Sequence, residues 1–206
     1  MGLFDQIKNT VTSALKSEIR EGLGDVGSAA VDAAKKIGKG ITSSKSFKFD
    51  AIPANVTELK ALKEASLDSA FKTTALAILA LMRYEDDPEA VMEMLDFLNG
   101  PDDTSQYDRQ FFEERLNGKA YKVRSFFDGA KPENDYTPKT PYKITVTENP
   151  YSFDEENWAT LYVQSGGDEN PRPVKLRKKP STGQWFIRDL QCLADIKLPK
   201  SEDPWA

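Results

Sequence analysis

The stretch Ser69-Ala-Phe-Lys-Thr-Thr-Ala-Leu-Ala-Ile-Leu-Ala-Leu-Met-Arg-Tyr84 decides how this 206-residue chain folds. Its spacing predicts a helix, but the apolar residues do not form a single stripe. They lie nearly all round the helix axis, at Ala75, Leu76, Ile78, Leu79, Leu81 and Met82. A helix that is apolar on every side has to be covered on every side. The stretch therefore predicts a helix at the centre of the fold.

Start signals predict three further helices around this one. Asn55 is a good N-cap for a short helix, Asp87-Pro88 joins an N-cap to a proline at the first helical position, and another helix begins near Ser105. The segment 121–127 is rich in aromatic residues and ambiguous between helix and strand. The helical half is thus predicted to span about residues 55–127.

The hydrophobic period changes from 3.6 to 2 at Tyr142, where apolar residues begin to alternate with Lys and Thr. Strands are predicted at 142–147, 158–164, 172–179 and 184–190, and a short fifth strand at 192–198. The Ser- and Lys-rich run 42–50 predicts a connector. The whole pattern predicts an α+β fold, in which the helical half packs on one face of a C-terminal antiparallel sheet of four to five strands.

Residues 1–45 carry an amphipathic pattern that repeats every eleven residues, ahead of the α+β domain predicted at 46–206. An eleven-residue repeat keeps apolar side chains on one side of a nearly straight helix. Such a stripe needs cover from a membrane surface, a partner helix or the rest of the protein. Glycines at 22, 24, 27, 38 and 40 each cost a helix about 1 kcal/mol, so we expect a break or folding on binding. The predicted contact residues are Phe4, Ile7, Val11, Leu15, Ile19, Leu23, Val26, Ile37 and Ile41.

The net charge of −5 is unevenly distributed. Residues 1–46 contain seven Lys or Arg and five Asp or Glu, whereas the remainder contains 21 and 28. A mildly basic helical arm on an acidic body suits an anionic lipid surface or an acidic partner.

The residue types present also exclude several classes of chemistry. Without histidine there is no Ser-His-Asp triad, Cys-His dyad or His-ligated zinc site. Cys192 lies in an apolar run, which predicts a buried structural thiol in a reducing compartment. Gly22–Gly27 match G-x-G-x-x-G, but they follow a helical segment rather than a strand, so we expect no dinucleotide and no other cofactor. Without a secretory signal or a run of about 18 apolar residues, we expect a cytoplasmic protein that could associate with a membrane through its arm.

One concentrated basic patch is predicted in the body, on the third strand. Alternation places Lys175, Arg177 and Lys179 on one face, with Arg172 at the start of the strand and Tyr162 and Trp185 on the neighbouring strands. Basic and aromatic residues on a sheet could hold an anion or a single-stranded nucleic acid. The simpler interpretation is a solvated outer face whose lysines prevent aggregation. Because the body is acidic, we do not expect nucleic acid as a partner.

Four segments carry a resemblance to a known family: Ser46-Phe-Lys-Phe-Asp-Ala-Ile-Pro53, Tyr136-Thr-Pro-Lys-Thr-Pro-Tyr-Lys-Ile-Thr-Val146, Pro171-Arg-Pro-Val-Lys-Leu-Arg-Lys-Lys179 and the terminal Glu202-Asp-Pro-Trp-Ala206. They resemble a bacterial domain of unknown function found in gut Firmicutes, over roughly residues 46–206. The family has no assigned activity, so the resemblance supplies no catalytic residues. The strand half is also similar to nuclear-transport-factor-2-like folds, which implies a cone-like sheet wrapped around helices.

These patterns favour a non-enzymatic binding or scaffold protein. The arm is expected to dock on a membrane surface, on a protein partner or on copies of itself, while the body recognises a partner. One alternative is a cone-shaped domain that binds a small molecule or acts as an enzyme through carboxylates and tyrosines. The other is nucleic-acid binding through 172–179. No catalytic residue and no metal ligand is predicted, because no pair of carboxylates is selected by its spacing and no acidic run has calcium-loop spacing.

Overall fold

The computed structural model describes residues 43–194 and 196–205, which belong to one compact unit, Thr42–Ala206. The amphipathic pattern and the Gly22–Gly27 motif lie outside these residues, so both stay predictions. None of the helices in the described part is long and apolar enough to cross a lipid bilayer.

Five α-helices occur in the described residues, and the starts of three of them confirm the predicted signals. They are α1 (Val56–Ala61), α2 (Ala70–Leu81), α3 (Pro88–Asn99), α4 (Gln106–Leu116) and α5 (Tyr121–Arg124). The Asn55 side chain accepts hydrogen bonds from the first turn of α1, Asp87 accepts one from Ala90 N at 3.0 Å, and Ser105 forms a capping box with Asp108. Short 3₁₀ turns occur between the other elements and near the end of the described residues, at Lys63–Ser66, Pro132–Asn134, Gln191–Leu193 and Lys200–Glu202.

Helix α2 is the centre of the fold, as its composition predicts. Eleven of its twelve residues are buried, and only Lys72 is partly exposed. It contacts all five strands on one side of the sheet and α3 on another. A helix in this position needs no polar face, which explains why the stretch lacks one.

The sheet is an antiparallel meander of five strands in the order β1-β2-β3-β4-β5. The strands are β1 (Ser44–Phe49), β2 (Tyr142–Thr147), β3 (Trp158–Val163), β4 (Arg172–Lys178) and β5 (Trp185–Asp189). The α+β class is confirmed, and the helices precede four of the five strands.

Two local predictions were wrong. The supposed connector at 42–50 contains β1, because Ser44, Ser46 and Lys48 occupy outward positions of a sheet-edge strand while Phe49 is buried in the core. The supposed strand at 192–198 instead begins with a 3₁₀ turn and continues without strand pairing in the described residues. Cys192 and Leu193 are buried there, so the apolar run reflects a core segment without regular structure.

The two edges of the sheet differ. At β5, the amide of Trp185 donates to the Leu67 carbonyl at 2.8 Å, and the Thr73 hydroxyl donates to the Trp185 carbonyl at 2.9 Å. The start of α2 therefore covers that edge. Strand β1 pairs only with β2 within the described residues, so its second edge carries the sheet's unpaired backbone groups.

Candidate functional site

The strands β1 to β4 present one face to α2 and one face away from it. Residues on the inner side, such as Ile144, Leu161 and Val174, are fully buried. Alternation and the strand registers define the opposite side, which we call the outer face. Its twelve residues are Ser44, Ser46, Lys48, Lys143, Thr145, Thr147, Trp158, Thr160, Tyr162, Pro173, Lys175 and Arg177, and none of them is buried.

The structure divides the predicted basic patch between the two sides of the sheet. Lys175 and Arg177 lie on the outer face and are exposed. Lys179 follows the end of β4 and is also exposed. Arg172 stands opposite the buried Val163, on the inner side, and forms an ion pair with Asp168. It therefore does not join the other three cations.

The aromatic neighbours of the patch lie on both strands that flank β4. Trp158 stands opposite Arg177, and the guanidinium carbon of Arg177 lies 5.3 Å from the centre of a Trp158 ring. Trp185 lies on β5 opposite Lys178, whose Nζ is 5.9 Å from the centre of its ring, and it also packs against Phe153. Sequence reasoning missed Trp158, although its alternation with Ala159 and Leu161 was a signal that it points outward.

Tyr162 also lies beside the basic strand, as predicted. It stands opposite Pro173 on β4, and its hydroxyl accepts a hydrogen bond from the Asn149 side chain at 3.0 Å. The bond fixes the ring at the border of the outer face, next to the loop that follows β2.

Hydroxyl groups fill most of the remaining outer face. Ser46 Oγ lies 2.9 Å from Thr145 Oγ1 across β1 and β2, and Thr147 Oγ1 donates to the Tyr162 carbonyl at 3.2 Å. One cation of this face is neutralised locally, because Lys143 Nζ lies 2.7 Å from Asp128 Oδ2. Of the other three cations, Lys175 stands opposite Asp189 of β5, Arg177 lies over Trp158, and Lys48 is exposed on the edge strand β1.

Charge is strongly segregated in the body. The twelve residues of the outer face include four Lys or Arg and no Asp or Glu, and Asp128 and Asp189 lie at its border, whereas the other residues of 47–206 include 17 Lys or Arg and 28 Asp or Glu. The field above the outer face is therefore opposite in sign to that of the body as a whole. The total charge of the body does not reveal this segregation, because the segregation depends on which side of each strand a lysine occupies.

A concave region, which we call the groove, lies between α4 and β5 and has a volume of about 580 Å³. Arg188 forms an ion pair with Asp102 there at 2.5 Å, and the ring of Tyr107 is 78% exposed at the rim. Asp108 also lines it, but that carboxylate is used in the capping box of α4. The groove is open, and the Nε of Arg188 has no hydrogen-bond partner in the described residues.

The acidic run Glu85-Asp86-Asp87 serves structural roles. Asp87 caps α3, Asp86 pairs with Arg83 at 3.0 Å, and Glu85 pairs with Arg124 at 3.1 Å. Within the described residues, no group of three or more His, Cys, Asp or Glu side chains could hold a metal ion.

Two buried titratable groups have strongly shifted pKa values. Burial raises the pKa of the Cys192 thiol to about 12, so the thiol is neutral and unreactive near pH 7. Burial likewise raises the pKa of Tyr136 to about 12, and its hydroxyl donates to the Lys197 carbonyl at 2.9 Å. Both groups hold the core together and face no open site.

Comparison with known proteins identifies a family. The family model described as "Domain of unknown function (DUF6935)" matches residues 51–200. The chain belongs to this family. No curated protein and no solved structure matches the chain. The expected bacterial origin and the likeness to nuclear-transport-factor-2-like folds therefore stay predictions.

Proposed function

We propose that this member of the DUF6935 family is a non-enzymatic binding protein. Its N-terminal segment attaches the chain to a membrane surface or to helices of a partner or second copy. Its α+β body is a rigid module that recognises a partner through its surface. The proposal combines the amphipathic repeat of residues 1–45 with the packing of the body.

The observation that carries the proposal is the contrast between a filled interior and an open outer face. Helix α2 fills the side of the sheet where a cone-shaped fold would hold a ligand, with Leu76, Ile78 and Leu79 fully buried. Ligand sites are normally concave cavities with a few converging polar groups. Several charged groups of the described residues cap helices or form ion pairs, among them Asp87, Asp86 and Asp102. Recognition then falls to exposed surface.

The groove between α4 and β5 is the feature that favours the small-molecule alternative. A ligand that replaced Asp102 on Arg188 would have to break their ion pair. Separating such a pair leaves a partly buried charge without its partner, which is costly. The alternative is therefore weaker than surface recognition.

Point variants of the full-length chain test the role of the N-terminal segment. Leu15→Glu with Ile19→Glu places two charges in the apolar stripe. The matched control, Ser13→Glu with Ser17→Glu, adds the same charges on the polar side of the same segment. We expect the stripe variant to lose vesicle co-sedimentation, or self-association measured by light scattering, by about ten-fold or more, because apolar contact area is replaced by charge. The control is expected to retain most of it.

Two results would overturn this role. One is a wild-type protein that neither sediments with vesicles nor self-associates nor retains a partner. The other is an equal loss in the stripe variant and in its control, which would show that added charge rather than the stripe decides binding.

A further inference from the structure

We infer that the outer face of the sheet is a second membrane contact, which binds the headgroups of anionic phospholipids. The inference rests on the proposed function and names the surface that the body recognises. It depends on the outer face as defined above, and not on the residues before Ser43.

Charge orients the body toward such a surface. Lys48, Lys175 and Arg177 stand on the outer face with no carboxylate among its other members, while the rest of the body is acidic. Screening limits electrostatic forces to about 8 Å at physiological salt, so a membrane close to this face interacts mainly with its cations. The rest of the body carries more carboxylates than cations, so the outer face is the side of the sheet that an anionic surface is expected to attract.

The neutral groups of the face suit the same surface. Hydroxyls such as Ser44, Ser46 and Thr160 can donate to phosphate and carbonyl oxygens of headgroups. Trp158 and Tyr162 are half-buried rings with polar atoms, the type of side chain that is enriched where membrane meets water. These groups belong to adjacent strands of one sheet, so they can meet an extended planar surface together.

The geometry favours lipid over a single-stranded nucleic acid. A nucleic-acid platform needs free aromatic faces on which bases stack. Arg177 lies over the Trp158 ring, and the Tyr162 hydroxyl is held by Asn149 at the border of the face. The few cations of the outer face would also engage only a few phosphates of a strand, whose remainder would run over acidic surface. A membrane is presented to one face alone and avoids that repulsion.

A second weak contact has a large effect when the first is on the same chain. A single amphipathic or acyl anchor binds reversibly, and stable attachment usually needs two signals, of which a basic patch is a common one. Once the N-terminal segment is bound, the outer face meets lipid at a high effective concentration. We therefore expect the face to contribute selectivity for anionic lipid, and the segment to contribute binding to any bilayer.

The test uses full-length protein and two kinds of vesicle, phosphatidylcholine alone and phosphatidylcholine with phosphatidylserine. The variant is Lys175→Glu with Arg177→Glu. Its control is Lys63→Glu with Lys119→Glu, which makes the same charge change at exposed residues of the helical half. We expect the face variant to bind phosphatidylserine vesicles about ten-fold more weakly than wild type, and phosphatidylcholine vesicles equally well. The control is expected to stay within about two-fold on both.

The milder variant Lys175→Gln with Arg177→Gln removes charge without reversing it and is expected to show a smaller loss of the same kind. Equal binding of wild type and both face variants, each with an unchanged melting temperature, would overturn the inference. So would an equal loss in the face variant and its control. Loss of oligothymidylate binding with unchanged vesicle binding would overturn it in favour of nucleic acid. The stripe variant of residues 15 and 19 tests the proposed function separately, because it should lose binding to both kinds of vesicle.

Discussion

The inner and outer faces of β1 to β4 are made by the same strands, yet packing constrains the one and contact with water the other. On β3, Ala159, Leu161 and Val163 are buried against α2, while the residues between them remain partly exposed. The inner residues are constrained by shape, because a close-packed core tolerates little change of volume. The outer residues are constrained mainly by water, so their chemistry is free to serve recognition.

The comparison teaches where function can be sought in a domain without a catalytic constellation. Outward residues need only be polar enough for solubility, and any mixture of Lys, Glu and Thr would satisfy that requirement. The outer face nevertheless contains four cations and no carboxylate, within a body that is acidic elsewhere. Folding does not require this bias. It is consistent with an anionic partner for the outer face.

The largest difference in stability between the two faces is expected from variants of adjacent residues of β3. Leu161→Ala removes a fully buried side chain and leaves a cavity, so the free energy of unfolding should fall by about 2–5 kcal/mol. Thr160→Ala changes the neighbouring outward residue and should cost less than about 1 kcal/mol. Urea denaturation of both variants measures the difference, and similar losses would show that the outer face is as tightly constrained as the core.

An intermediate effect on the free energy of unfolding is expected at alkaline pH from the buried thiol of Cys192. Burial raises the pKa of Cys192 to about 12 from 9.0, so the unfolded state loses this proton first. The stability that the neutral thiol contributes is complete below pH 9 and is lost as the pH rises toward 12. One such group contributes a slope of up to about 1.4 kcal/mol per pH unit. Cys192→Ala should flatten the fall in unfolding free energy above pH 9, measured by urea denaturation; an unchanged slope would contradict a buried neutral thiol.

The smallest effect is expected within the outer face itself. Arg177→Met removes the guanidinium that lies over Trp158 but keeps a long side chain, and should destabilise the fold by about 0.5–1 kcal/mol. A double-mutant cycle with Trp158→Leu isolates the coupling between the two side chains. A coupling near zero would mean that the pair is only a neighbour contact and leaves the Trp158 ring available.

Local signals predicted the helical part of the fold well, and the sheet less well. Asn55, Asp87 and Ser105 each act within a few residues, so their capping roles can be recognised without the rest of the chain. Strand β1 was missed because its partner, β2, lies about a hundred residues away and only Phe47 and Phe49 show apolar alternation. Non-local pairing leaves little trace in a short polar strand.

The candidate site was predicted only in part for the same reason. Alternation along one strand correctly grouped Lys175 with Arg177, whereas the choice of aromatic neighbour depended on registers between strands. Those registers bring Trp158, not Trp185, beside Arg177 on the outer face. The absence of carboxylates from the face could be recognised only when four strands were aligned.

We propose that the outer face, rather than the helical side of the body, meets the membrane. The native Cys192 is buried, so a fluorescent probe attached at neutral pH labels only an introduced cysteine. Full-length Ser46→Cys carries the probe on the outer face, and Gln110→Cys carries it on α4, with both positions exposed. With phosphatidylserine vesicles that bear a nitroxide on the lipid headgroup, we predict strong quenching at residue 46 and little at residue 110. Equal quenching at both residues, or stronger quenching at 110, would contradict the account.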